Sequence, residues 1–171
     1  MKKLILIPFI VAILTIQNIQ AKALPEYTIK AAYLYNFALL TQWSSSNENQ
    51  SDEFNLCFYK EDFGIASDTL KNKIMHDKKI KVSNISSIEE AQKCQMVFIR
   101  KEETIQELQL VQTLSQSQVL IVTDNEKIEN SHITILSENT KLVFNINLKY
   151  LKHTNLAVSS HLLKLAKKII Q

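Results

Sequence analysis

Apolar runs and amphipathic stretches alternate along the chain. From Glu26 to Trp43, Ile29, Tyr33, Phe37 and Leu40 share one helical face, and Tyr27, Ala31, Leu34 and Ala38 form a second beside it. A helix apolar over so much of its circumference is expected to be buried on two sides. Residues 44–53 are polar and of low complexity, the pattern of an exposed loop. Phe54–Tyr59, Lys79–Val82, Met96–Ile99 and Val119–Val122 read as strands, the last a continuous apolar run of the kind found in parallel sheets. Helices are expected between them: Phe63–Ile74 behind a cap at Asp62, a short one through Gln92, and the amphipathic Glu102–Leu114. Ser86 or Ser87 can cap the short helix, with Glu89 or Glu90 at the box position.

The pattern then changes. Ile133–Leu136 and Leu142–Ile146 stand at hairpin spacing. Leu156–Ile170 reads as a closing helix with Leu162, Leu165, Ala166 and Ile169 as its apolar stripe. The expected fold is a three-layer α/β sandwich with a mostly parallel sheet ending in an antiparallel hairpin.

The start of the chain is different again. Lys2 and Lys3 precede Leu4–Ile16, apolar apart from Thr15 and broken by Pro8, and Ala21-Lys22-Ala23 places small residues two apart. This is the layout of a secretory signal peptide, with cleavage expected after Ala23 and a single domain over residues 24–171. The apolar run is shorter than the ~20 residues a spanning helix needs, so no membrane span is expected after cleavage.

Cleavage changes the charge. Lys2, Lys3 and Lys22 account for the formal net charge of +3, and without them 17 basic and 17 acidic residues remain. Nucleic acid is then a poor partner, since phosphate binding needs an excess of cations. In an exported chain the two cysteines, Cys57 and Cys94, favour a disulfide, with two buried thiols as the alternative.

Chemistry is sparse. Gly64 is the only glycine of 171 residues, which excludes phosphate-binding loops and nucleophile elbows that need several. The four histidines form no metal-ligand spacing, and no cofactor site or catalytic constellation emerges. His161 stands two residues from Ser159 on the expected last helix, where the two would face apart. Asn145 and Asn147 alternate on a late strand and so share a face, suited to a polar ligand or to capping nearby backbone. The aromatic surplus around Tyr33, Phe37 and Trp43 suits core packing or a partner surface.

One resemblance covers nearly the whole chain after the leader. Tyr27-Thr-Ile-Lys-Ala-Ala-Tyr-Leu-Tyr-Asn-Phe37 with Trp43 resembles the opening of the YfiR family of periplasmic proteins. Cys57, Asp62-Phe-Gly64, Cys94-Gln-Met-Val-Phe-Ile99, Leu120-Ile-Val-Thr-Asp124, Leu142-Val-Phe-Asn-Ile-Asn147 and Leu156–Ala166 follow in family order. The resemblance implies a Rossmann-like sandwich that tends to dimerise, and a periplasmic regulator without enzymatic activity. Its implied partner is the periplasmic sensor part of an inner-membrane diguanylate cyclase, held inactive so that cyclic di-GMP stays low. An outer-membrane lipoprotein that sequesters the repressor is a further implied partner. Asn130-Ser131 stands where the family usually has Gly-Gly, and a second cysteine pair found in some members is missing.

Two readings of the surface follow. In one, part of the first helix and the loop near Asn130 dock on a partner protein. In the other, the Asn145/Asn147 face, with Phe37 or Trp43, binds a small apolar or aromatic metabolite.

Overall fold

The computed structural model describes residues 25–43, 52–101, 111–114 and 117–171. The expected leader with Ala23, most of the 44–53 loop and most of the 102–114 helix lie outside them. The described part is a mixed α/β fold around one curled, mostly parallel sheet.

Helix α1 (Glu26–Leu39) stops four residues earlier than the apolar pattern suggested. The Thr41 hydroxyl donates to the Phe37 carbonyl at 2.7 Å, satisfying a helix-end acceptor, and the chain continues as strand β1 (Thr41–Trp43). The remaining strands are β2 (Glu53–Tyr59), β3 (Ile74–Met75), β4 (Lys78–Ile85), β5 (Met96–Ile99), β6 (Leu120–Thr123), β7 (Ile133–Glu138), β8 (Lys141–Asn147), β9 (Leu156–Val158) and β10 (Lys168–Ile170). Eight of them form the main sheet in the order β10-β8-β7-β6-β5-β2-β4-β3, and β1 pairs with β9 in a separate ribbon.

β4, β2, β5, β6 and β7 run parallel. β7 and β8 form an antiparallel hairpin, but the sheet does not end there, because β10 adds in parallel beyond β8. β3 and β4 make a second hairpin through His76 and Asp77, both at positive φ, which suits a two-residue turn.

The sheet buries apolar side chains on both faces, and strand alternation sorts them. Leu56, Phe58, Met96, Phe98, Leu120 and Val122 join α1's Leu34, Phe37 and Ala38 in the larger core. Their neighbours Cys57, Tyr59, Val97, Ile99 and Ile121 pack on the other side with Ala91, Val111 and Leu114. There Ser87 caps the short helix Ile88–Ala91 with Glu90 in a reciprocal capping box, one of the alternatives read from sequence.

Two expected helices are largely absent. Phe63–Ile74 holds only the helical turn Ile65–Asp68 and ends near Asn72, whose φ is positive. Leu156–Ile170 splits into β9, a helix of six residues (Ser160–Leu165) and β10. The Ser159 hydroxyl accepts the Leu162 N–H and starts the helix, so the serines read as interior are a boundary. On either side, β-branched Val158, Ile169 and Ile170 find strand partners, and pairing overrides the weak helical preference. Of the expected stripe only Leu162 is buried; Leu165 is 58% exposed.

Candidate functional site

The two faces of the sheet end differently at the β7–β8 hairpin. On the α1 face, Ile133, Ile135, Phe144 and Ile146 continue the larger core. On the opposite face the side chains turn polar. Thr134 stands in register with Asn145, and β10 places Lys168 beside Asn145 and Ile170 beside Asn147. This face is not closed over. It forms the floor of a cleft of about 340 Å³, near the lower end of small-ligand sites. The 126–129 stretch and residues 149–150 form its other walls, with Leu136 and Ile170 supplying apolar surface.

Asn147 builds the cleft. Its Nδ2 donates to the Glu129 carbonyl at 3.1 Å, and its Oδ1 accepts the Tyr150 N–H at 3.4 Å, capping the helical turn Leu148–Leu151. One side chain therefore fixes two walls. Asn145, two residues earlier, is different. Its Oδ1 is buried without a hydrogen-bond partner among the described residues. Cross-strand Thr134 offers no proton to it. The Ser131 hydroxyl donates to the Ile128 carbonyl at 3.1 Å, so the 3.0 Å contact between the Ser131 and Thr134 hydroxyls uses the Thr134 proton.

The loop behind the cleft is tightly held. The Thr123 hydroxyl donates to Ile99 O and accepts the Asn125 N–H, and the Asn125 carbonyl oxygen Oδ1 accepts the Lys127 N–H. Asn130 and Ser131 adopt no positive φ, so losing the family's glycines there requires no left-handed backbone. His132 is fully buried, and its Nδ1 accepts the Ile121 N–H at 3.1 Å, which leaves the proton of the neutral ring on Nε2. Burial lowers its pKa from 6.5 to about 4.

The candidate residues do not form one site. Phe37 is 1% exposed and meets Phe144 edge-on at 4.9 Å. Tyr33 stacks on Phe37 and donates its hydroxyl to Leu142 O at 2.8 Å. Trp43 packs edge-on to Phe54 and donates Nε1–H to Gln118 O at 3.0 Å. All three serve the α1-side core, whereas Asn145 and Asn147 face the cleft across the sheet. Neither Phe37 nor Trp43 is among the described residues that line the cleft with the asparagines. Asn130 is half-buried in the loop beside the cleft.

Residues that sequence reasoning missed line the cleft: Glu126, Glu129, Thr134, Lys149 and Tyr150. Only Thr134 carried a signal, as an alternating polar position in a strand. Cys57 and Cys94 are joined, with Cα atoms 6.1 Å apart, tying β2 to the turn that enters β5. Among the described residues, no cluster of His, Cys, Asp and Glu suits a metal ion, and no helix is long and apolar enough to cross a membrane.

The disulfide, every strand of the sheet except β10, and all of the opening helix but its first residue lie within the stretch matched by the YfiR/HmsC-like family, residues 27–167. The chain belongs to that family. No curated protein matches it. Membership in the YfiR/HmsC-like family points to a periplasmic regulatory protein, a setting in which the Cys57–Cys94 bond is stable. The match ends just before β10, so Ile170 borders the cleft from outside the matched stretch.

Proposed function

We propose that this protein is a periplasmic, non-enzymatic regulator that binds and inhibits the sensor part of an inner-membrane diguanylate cyclase. The observation that carries this reading is the family match over residues 27–167. Under the same reading, residues 1–23 are a signal peptide cut after Ala23, the working form is a homodimer, and an outer-membrane lipoprotein competes for the repressor.

The surface that best supports docking is the outer stripe of α1. Ile29, Ala32, Asn36 and Leu39 recur at helical spacing and are all exposed, Ile29 by 36% and Leu39 by 41%. Tyr33 and Phe37 act from beneath, holding the helix against Phe144. Apolar positions on a solvent-facing stripe suit a partner's apolar surface, and charge there opposes association.

The test is capture from detergent-solubilised membranes of the source cell, using the full chain processed in that cell. Recovery of a diguanylate cyclase, lost with Ile29→Glu/Leu39→Glu, is the expected result. Recovery of no cyclase with the unaltered protein overturns the regulator reading. Capture undiminished by the double substitution moves the interface elsewhere.

A further inference from the structure

The lysines of this chain are distributed unevenly. Residues 139–171 hold six, Lys141, Lys149, Lys152, Lys164, Lys167 and Lys168, and no Asp or Glu, whereas residues 24–138 hold 11 basic and 17 acidic residues. The fold gathers these six along one border of the sheet. β10 is the outermost strand, with Lys168 in register with Asn145 and Ile170 with Asn147. At one end of it Lys167 reaches Glu138, whose register partner Lys141 opens β8. At the other end the turn Leu148–Leu151, which carries Lys149 and leads into Lys152, packs against β10. All six lysines are exposed. Glu138 is engaged by Lys167, Glu126 and Glu129 lie on the loop wall of the cleft, and Lys164 and Lys168 form no ion pair among the described residues. Two large aliphatic side chains are exposed in the same stretch, Leu165 by 58% and Ile169 by 38%.

We propose that this border binds the surface of an anionic phospholipid bilayer. Basic and aliphatic side chains interleave over Lys164–Ile169 without an acid, so Leu165 and Ile169 can enter the headgroup boundary while the lysine ammoniums stay among the phosphates. A protein partner fits this border less well. Lysine is depleted at protein interfaces, whereas each lysine near a charged membrane adds to the attraction. The contact is peripheral and uses none of the α1 stripe. The inference goes beyond the regulator reading and does not depend on it.

The experiment is flotation of the protein, purified after processing in its source cell, with vesicles of phosphatidylglycerol and phosphatidylethanolamine and with vesicles of phosphatidylcholine alone. The protein is expected to float with the first only. It should be released as salt rises, because exposed charges are screened within ~10 Å at about 0.1 M. Lys164→Gln/Lys168→Gln should weaken binding about thirtyfold, at roughly fivefold per lysine, with the thermal midpoint unchanged. Leu165→Ser/Ile169→Ser should weaken it several-fold at every salt concentration. No binding to the phosphatidylglycerol vesicles overturns the proposal and leaves an acidic protein as the partner of this border. Equal binding to phosphatidylcholine overturns it too, as does an affinity unchanged in the Lys164→Gln/Lys168→Gln protein.

Discussion

Ile170 stands in register with Asn147 across the β10–β8 pair, and the two share the face that floors the cleft. Asn147 fixes the cleft's upper walls, and β10 covers the outer edge of β8. The cleft thus depends on the terminal segment pairing as a strand. Had residues 156–170 formed one helix, this side of the hairpin would be an open sheet edge.

Asn145 and Asn147 are expected to respond oppositely to truncation. Asn147→Ala removes a helix cap and a tie to Glu129 O from a residue only 7% exposed, and should cost about 1–3 kcal/mol. Asn145→Ala removes an amide with no partner and a buried oxygen without a donor, and should change stability by less than about 0.5 kcal/mol. Urea unfolding midpoints of the two variants check this. Equal losses would mean that the 145 amide has a structural bond after all.

Much of this was legible in the sequence. The apolar runs at Met96–Ile99 and Val119–Val122 mark strands β5 and β6, the second shifted by one residue to Leu120–Thr123, because they are buried on both faces, a signal that needs no tertiary information. The asparagine face was legible from alternation alone. The terminal segment was not, because its leucines fit helical spacing while its outcome was decided by pairing with β1 and β8, far away in the chain. Glu126 and Glu129 were illegible for a related reason. They sit in a loop without periodicity, and only the Asn147 tie to Glu129 O shows where that loop lies.

The Cys57–Cys94 bond closes a loop of 37 residues in sequence separation between neighbouring strands. By loop-closure entropy its removal should cost about 3–4 kcal/mol. Cys57→Ala/Cys94→Ala should therefore unfold at markedly lower urea, and reductant should shift the native protein alone. A double variant as stable as the native protein would mean that packing in this core holds the strands without the bond.

Lys30 is buried to 5% exposure on α1, and its ammonium meets Asp124 at 2.5 Å and Glu26 at 2.6 Å. Burial alone would lower its pKa, but the hydrogen bonds and charges of the two carboxylates outweigh it and hold the pKa above the ordinary value. Asp124 is nearly as buried, and its Oδ1 has no hydrogen bond among the described residues. Lys30→Met strands that carboxylate and should cost about 3–5 kcal/mol. Adding Asp124→Leu should recover most of the loss, since the charge needing compensation is gone. A double-mutant cycle measures the coupling, and additive losses would place the Lys30 contribution in packing instead.

His132 should set part of the protein's acid sensitivity. Its folded pKa is lowered to about 4 from 6.5, so the unfolded chain takes up the proton first as pH falls. The neutral ring's contribution is complete above pH ~6.5 and declines through the window down to about 4. A shift of that size amounts to about 3 kcal/mol, spread over the window as one proton's worth of slope. His132→Asn keeps an acceptor for the Ile121 N–H but does not titrate. The variant will be less stable at pH 7, because a smaller side chain leaves space in the core. The decisive quantity is therefore the slope of unfolding free energy against pH. It should be shallower by about one proton in the variant between pH 6.5 and 4, and parallel slopes would mean that His132 takes up its proton without unfolding the loop.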